Sequence, residues 1–331
     1  MYQVSLLADC LTVNKARALS HARERGALRG ATPSQNGPGK QMESLPTFQV
    51  FVISLERAVE RREYMKSLVA KLGFSATIIS AVDGKNLRAE QRARYSSARA
   101  QRIYGCEMSD NEIACYLSHL SIYSKMLEHR IDVALVLEDD ISAVADLKPI
   151  VDDLLKLPKT SWQVVRLQSS KKSVSHPTDA QKAGEPVARI GEREIFRLRT
   201  SVLGGCAYLI RLSAAASMLS RSEQIDMPID QTLDRYWENG IVPYVLRPMP
   251  VWHEDLFESE IGQRGRALAS APAKKNVRRR RAQRMIDSVN KRIFWLAFRV
   301  PSVGSVMAKL GVPSARMALV ALWNNQTYQK A

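Results

Sequence analysis

The chain has 331 residues, 45% of them hydrophobic, and a formal net charge of +16. That length and apolar content exclude a wholly disordered chain and suit one large domain with appendages. Residues 1–46 carry +3 and residues 264–331 carry +14, which leaves residues 47–263 at about −1; the basic excess belongs to a tail, which argues against a folded nucleic-acid surface.

Cys10, Cys106, Cys115 and Cys206 form no C-x-x-C pair and meet no histidine at zinc-finger spacing. This favours reduced thiols in a cytosolic setting over a disulfide framework. No run approaches the roughly 18 uncharged apolar residues of a membrane span, and no apolar signal-peptide core stands near Met1.

In chain order, residues 1–46 mix Arg, Gly, Ser and Pro without hydrophobic period and are expected to form a flexible extension, with Met42 as the expected natural start. "FQVFVISL" then predicts a buried strand, "ERAVERREYMKSLVAKLG" a helix closed by Gly73, and "FSATIISAVDG" a second strand. In "SDNEIACYLSHLSIYSKMLEHR", Ser109 and Glu112 have capping-box spacing, and Ile113, Leu117, Leu120, Ser124 and Leu127 mark a largely apolar stripe. "VALVLEDD", "WQVVRLQS" and "GGCAYLIR" predict further strands, and "LSAAASMLSR" and "QTLDRYWENG" predict helices, the latter ended by Gly240. The segment Ser169 to Glu194 has no clear period and reads as a loop. Strands alternating with helices predict an α/β domain over residues 47–263 with a mostly parallel sheet.

Ligands of open α/β sheets gather at the carboxyl ends of the strands, where this sequence keeps its acids. In an extended chain Glu138 and Asp140 share one face while Asp139 points to the other. Two carboxylates on one face can hold a hard divalent cation whose shell substrate phosphate oxygens complete. The bland alternative is an acidic turn that merely ends a strand.

Four blocks carry a resemblance: "FVISLERAVERREYM", "MSDNEIACYLSHLSIYSKMLE" followed by "ALVLEDDI", "GGCAYLIRLSAAASML" with "MPIDQTLDRYW", and "VWHEDLFESEIGQR". In this order, over about residues 47–264, they resemble glycosyltransferase family 25, the lipooligosaccharide galactosyltransferase-like enzymes. The resemblance implies a GT-A-like, Rossmann-type fold, a UDP-sugar donor (galactose favoured), Mn2+ or Mg2+, and inversion at the anomeric carbon. It makes Glu138, Asp139 and Asp140 the counterpart of a metal-binding D-x-D motif. Ser54 stands where the family typically has Asn, and Ala114 where Gly is usual.

Inverting transfer needs a base for the acceptor hydroxyl and stabilisation of the departing diphosphate. The base expected is Asp230, with Asp234, Glu254 and Asp255 behind it; the alternative for Asp230 is a helix N-cap. Ser54, Leu55 and Asp83, at the ends of the first two strands, are expected to face the donor nucleotide, with Arg61 following in the first helix. Arg62 reads rather as a solvated helix face. His119 shares a helix side with Glu112, Cys115 and Tyr123 and is expected either to face the cleft or to be a packed structural histidine. His253 is a candidate to complete the metal shell.

Residues 264–331 read as a basic helical tail. Residues 274–300 combine an Arg cluster with Met285, Val289, Ile293 and Leu296 at helical spacing, and Trp295 and Phe298 add interfacial aromatics. Such a helix suits the anionic inner face of a bacterial inner membrane, where a glycolipid or lipopolysaccharide-core acceptor would also lie; the alternative is packing on the domain. "SARMALVALW" is expected to extend the anchor. The sequence therefore reads as a cytoplasmic, peripheral-membrane sugar transferase. The competing readings are a divalent-metal phosphoryl hydrolase or nucleotidyltransferase, and a non-catalytic membrane or nucleic-acid binder acting through its tail.

Overall fold

A computed structural model of the chain describes residues 45–158, 161–169, 184–253 and 274–326. The strands are β1 (Phe48–Ser54), β2 (Ala76–Ser80), β3 (Val133–Glu138), β4 (Ile141–Ala143), β5 (Val164–Arg166), β6 (Gly184–Ile190), β7 (Arg193–Leu198), β8 (Ala207–Arg211), β9 (Pro243–Arg247) and β10 (Val251–His253). The helices before β8 are α1 (Val59–Lys71), α2 (Ala89–Ala93), α3 (Ser97–Ile103), α4 (Asp110–Glu128) and α5 (Leu147–Lys156). Those after it are α6 (Leu212–Arg221), α7 (Ile229–Leu233), α8 (Tyr236–Asn239), α9 (Lys274–Arg299), α10 (Pro301–Lys309) and α11 (Pro313–Gln326).

Eight strands form one sheet in the order β2-β1-β3-β8-β5-β9-β7-β6. The expected parallel pairing holds for β2-β1-β3 and for β5-β9, but β8 runs antiparallel to both its neighbours and β7 to both of its own, so the sheet is mixed. The carboxyl end of β8 feeds directly into α6 at Leu212. The segment Ser169 to Glu194, expected as a loop, contains β6 and the turn into β7, which falls between Ile190 and Arg193 at Gly191 (φ +54°).

Helices cover both faces of the sheet, which is why its central strands are continuous apolar runs. In β1, Val50 and Val52 join one core cluster while Phe51 and Ile53 join the other; in β3, Leu135 and Leu137 part from Ala134 and Val136 in the same way. The first cluster packs against α1, α5, α9 and α11, and the second against α4, α6 and α7.

The expected helix faces hold only in part. On α4 the buried side includes Tyr116, Tyr123 and Met126 as well as Ile113, Leu117 and Leu120, whereas Ser124 and Leu127 are exposed. On α9, Met285 (71% exposed), Val289 and Leu296 of the expected stripe face outward, Ile293 packs against the core, and Phe298, expected at an interface, is buried with Phe294 and Ala297. Aromatic bulk marks the inward side, since burying each phenyl ring is worth roughly 2–3 kcal/mol. "SARMALVALW" lies in α11 and buries Ala315, Ala318 and Ala321 in that same cluster.

Candidate active site

β1 and β3 run parallel with Ile53 opposite Glu138, so both strands open at one edge of the sheet. There Ser54, Glu138, Asp139 and Asp140 line a single pocket with Leu55 and Arg61. The three acids have different surroundings, because β3 ends at Glu138 and the chain turns before β4 begins at Ile141.

Asp139 is turned inward and held. Ser54 Oγ donates to its Oδ2 at 2.5 Å and Arg61 Nη1 to its Oδ1 at 2.9 Å, and only 9% of the residue is exposed. Burial raises its pKa above the ordinary aspartate value, with the bonds from Ser54 and Arg61 opposing the rise. Arg62, read as a solvated residue, instead ties the strand ends together, donating to Ser54 O at 3.2 Å and Ser80 Oγ at 3.0 Å.

Glu138 stays at the mouth of the pocket. Its Oε1 lies 3.3 Å from His119 Nε2 and accepts from the Cys115 thiol at 3.9 Å. His119 is fully buried, and its Nδ1 is 2.7 Å from Tyr208 OH, which is 2.7 Å from Tyr123 OH. His119 is thus a packed histidine outside the pocket lining, linked to the cleft only through Glu138. Ligand atoms of Cys115, His119 and Glu138 lie within 4.8 Å of one another. Burial and the charge of Glu138 push the Cys115 thiol well above its ordinary value, which keeps it neutral.

Asp140 presents a buried Oδ1 that accepts no hydrogen bond. The antiparallel β10-β4 ladder sets His253 opposite Ile141, and this brings His253 Nδ1 to 3.5 Å from that oxygen. A buried carboxylate oxygen left without a donor is costly, and together with His253 it could take a cation or a ligand group.

The donor-side candidates divide. Ser54 and Leu55 line the pocket. Asp83 caps the 3-10 turn Gly84–Asn86 by accepting from Lys85 N–H, and this bond, aided by Arg57 at 3.2 Å, holds its carboxyl below the ordinary aspartate value. Gly84 is required there, because a Cβ would stand 2.1 Å from Asn111 Oδ1 and 2.8 Å from the Asn111 backbone. Glu112 is occupied in the capping box, where its Oε2 accepts from Ser109 N at 2.7 Å. Ser118, beside His119, accepts from Val82 N at 2.9 Å and so ties the segment after β2 to α4.

Asp230 is the second residue of α7, whose N-cap is Pro228 with no side-chain cap bond. Its carboxylate accepts from Gly204 N at 3.0 Å and Gln231 N at 2.8 Å, and it lies across Gly205 from Glu138: a Cβ at Gly205 would stand 3.8 Å from Asp230 Cβ and 3.9 Å from Glu138 Oε1. Asp234 is separated from that opening. It is 4% exposed, and its Oδ2 accepts from Val202 N at 2.9 Å and Leu203 N at 2.7 Å, holding Leu203 in the left-handed region at φ +56°. Burial raises its pKa, with nearby Arg166 opposing. Arg166, buried to 2%, donates to the carbonyls of Gly204 and Asp230 and so braces the same loop. Glu254 and Asp255 lie outside the described residues.

Tyr123 shares the helix side of His119, but its bond to Tyr208, and the roles of Tyr208 and Arg166, carry no signal in the sequence. Each of these residues sits in an apolar strand or helix segment, where spacing gives no hint of a polar partner on another element.

Residues 47–233 match the family model described as "Glycosyltransferase family 25 (LPS biosynthesis protein)". The chain is 24% identical over 262 residues to human "Inactive glycosyltransferase 25 family member 3", covering 72% of this chain and 42% of the relative. It is 27% identical over 204 residues to Xenopus laevis "Procollagen galactosyltransferase 1-B", covering 59% and 32%. Over 96 residues it is 36% identical to a Drosophila pseudoobscura "Glycosyltransferase 25 family member", covering 28% and 15%. The chain therefore spans less than half the length of these curated relatives. With the acidic strand end, the Ser-His helix and the Asp230 loop all inside the matched region, the chain belongs to glycosyltransferase family 25.

Proposed function

We propose that the chain is an inverting, metal-dependent glycosyltransferase of GT-A type. It moves a sugar, galactose in our reading, from a UDP-sugar to a glycolipid or lipopolysaccharide-core acceptor at the cytoplasmic face of a bacterial inner membrane. The relatives' names support galactose, the family description supports a lipopolysaccharide acceptor, and the frog relative's name points to procollagen for that protein alone.

The observation that carries the reading is Asp140 Oδ1, buried, undonated and 3.5 Å from His253 Nδ1. Donor atoms bound to one divalent ion at ~2.1 Å stand roughly 3.0–3.5 Å apart, so this pair fits two ligands of a manganese or magnesium ion. Asp140 and His253 would hold it, with Glu138 directly or through water. When bound, such an ion neutralises negative charge growing on the leaving diphosphate.

The chain's own residues do the rest. Ser54 and Arg61 fix Asp139, and through it the turn that aims Asp140. Ser54 and Leu55 line the space for the nucleotide. Asp230, oriented by the N–H groups of Gly204 and Gln231, takes the proton of the acceptor hydroxyl. Asp234 positions the loop that supplies one of those N–H groups.

The test is manganese-dependent release of UDP from a panel of UDP-sugars. We expect release with at least one sugar, and its loss in a folded Asp140→Ala variant. No release from any sugar, or full activity in Asp140→Ala, rejects the reading; phosphate release without sugar transfer favours a phosphoryl hydrolase.

A further inference from the structure

A second pocket lies away from the cleft, where α9 crosses the end of β7 and α8. It is lined by Arg199, Lys291, Arg292 and Arg299, with Trp295 and Leu296 between them. The α9 members recur at helical spacing and so share one face. The floor is built: Trp295 Nε1 donates to Tyr236 OH at 3.1 Å, and Tyr236 OH donates to Arg199 O at 3.2 Å. Lys291 Nζ sits over the Trp237 ring at 4.6 Å.

Four cations thus converge with no acid in the lining. Arg199, Arg292 and Arg299 form no salt bridge among the described residues. Glu185, the acid whose carboxyl feels Arg199 and Arg299, is itself paired with Arg197. Asp287 is the only acid of residues 264–331, and it is turned inward onto Arg235 through bonds of 2.8 and 2.9 Å. Like charges gathered this way repel unless an anion joins them, and guanidinium forks match phosphate oxygens.

Leu296 lies in the pocket, exposed apolar side chains continue along α9 at Val289 and Met285, and the next helix, α10, exposes Val303, Val306 and Leu310. Cations beside an exposed apolar strip complement an anionic lipid surface, headgroup phosphate on the arginines and side chains in the acyl boundary. We infer that the Arg199–Lys291–Arg292–Arg299 pocket is a site for the phosphate of an anionic lipid headgroup and seats α9 and α10 on a membrane surface. This site stands apart from the cleft, and its test does not depend on sugar transfer.

The experiment measures sedimentation of the full chain with phosphatidylcholine vesicles with and without phosphatidylglycerol. The wild type is expected to bind the anionic vesicles selectively. Neutralising Arg199, Arg292 and Arg299 together to Gln is expected to lower the partition coefficient about a hundredfold, at about fivefold per arginine. The same change at Arg88, Arg102 and Arg130, exposed residues outside the tail helices, is expected to lower it far less. Circular dichroism confirms that both variants are folded. Equal losses in the two triples would reduce the effect to net charge and overturn the site, as would no loss in the first. Thermal stabilisation by inorganic phosphate without vesicle binding would assign the pocket to a soluble phosphorylated ligand and overturn the lipid inference.

Discussion

Ser54 Oγ donates a 2.5 Å hydrogen bond to Oδ2 of Asp139, joining the end of β1 to the turn after β3. Arg61 Nη1 holds the other oxygen from α1 at 2.9 Å, with 11% and 13% of the two side chains exposed. Removing one partner strands a largely buried charge. Arg61→Met is expected to cost about 3 kcal/mol in urea unfolding and Ser54→Ala about 1.5 kcal/mol. A loss below 1 kcal/mol for Arg61→Met would show that Asp139 does not depend on its partner.

His253 meets Asp140 only through the β10-β4 ladder, and its side chain remains about half exposed. Its removal should therefore spare the fold while weakening the metal. We expect His253→Ala to reduce Mn2+ affinity, measured calorimetrically with UDP present, by at least about tenfold. Unchanged affinity would remove His253 from the shell.

Asp230 and Asp234 are separated by one turn of chain and by their surroundings. Asp230→Asn keeps one of the two acceptor oxygens for the Gly204 and Gln231 N–H groups, and is expected to lower kcat by roughly a hundredfold or more at a stability cost of about 1–2 kcal/mol that leaves it folded. Asp234→Ala leaves the Val202 and Leu203 N–H groups without their acceptor and is expected to cost about 2–3 kcal/mol of stability. Full turnover in a folded Asp230→Asn protein would transfer the base role elsewhere.

Acid should loosen the seat of α9. Burial works against the charge of Glu238, but Arg235 and Arg221 outweigh it and hold its carboxyl below the ordinary glutamate value of 4.5. A lowered native pKa contributes stability that is fully present above the unfolded value and is lost as pH falls through the native one. The melting temperature is expected to drop as pH falls below 4.5, and Glu238→Gln should flatten that dependence. Parallel curves for both proteins would refute the coupling.

The two sides of α9 make opposite predictions. Phe294 is fully buried against Tyr236 at 4.9 Å, so Phe294→Ala is expected to cost about 3–5 kcal/mol in urea unfolding. Met285, 71% exposed, is expected to change stability by less than about 0.5 kcal/mol when replaced by Ala. Equal effects would mean that the helix is rotated from the packing described.

The sequence by itself determined the features that repeat within one element. The Ser109–Glu112 spacing gave the capping box that starts α4, whereas the turn after Glu138, rather than strand alternation, sets Asp139 apart from Glu138 and Asp140. The buried runs of β1 and β3 followed from uninterrupted apolar residues, and the matched family blocks named the class. Tertiary structure alone decided which groups meet across elements. It paired Asp140 with His253, gave His119 its tyrosine chain, confined Asp234 to a loop, set β8 antiparallel and chose Phe294 over Met285 as the inward face. Periodicity is a local signal, whereas these choices depend on which distant side chains compete to fill one volume or satisfy one buried polar atom.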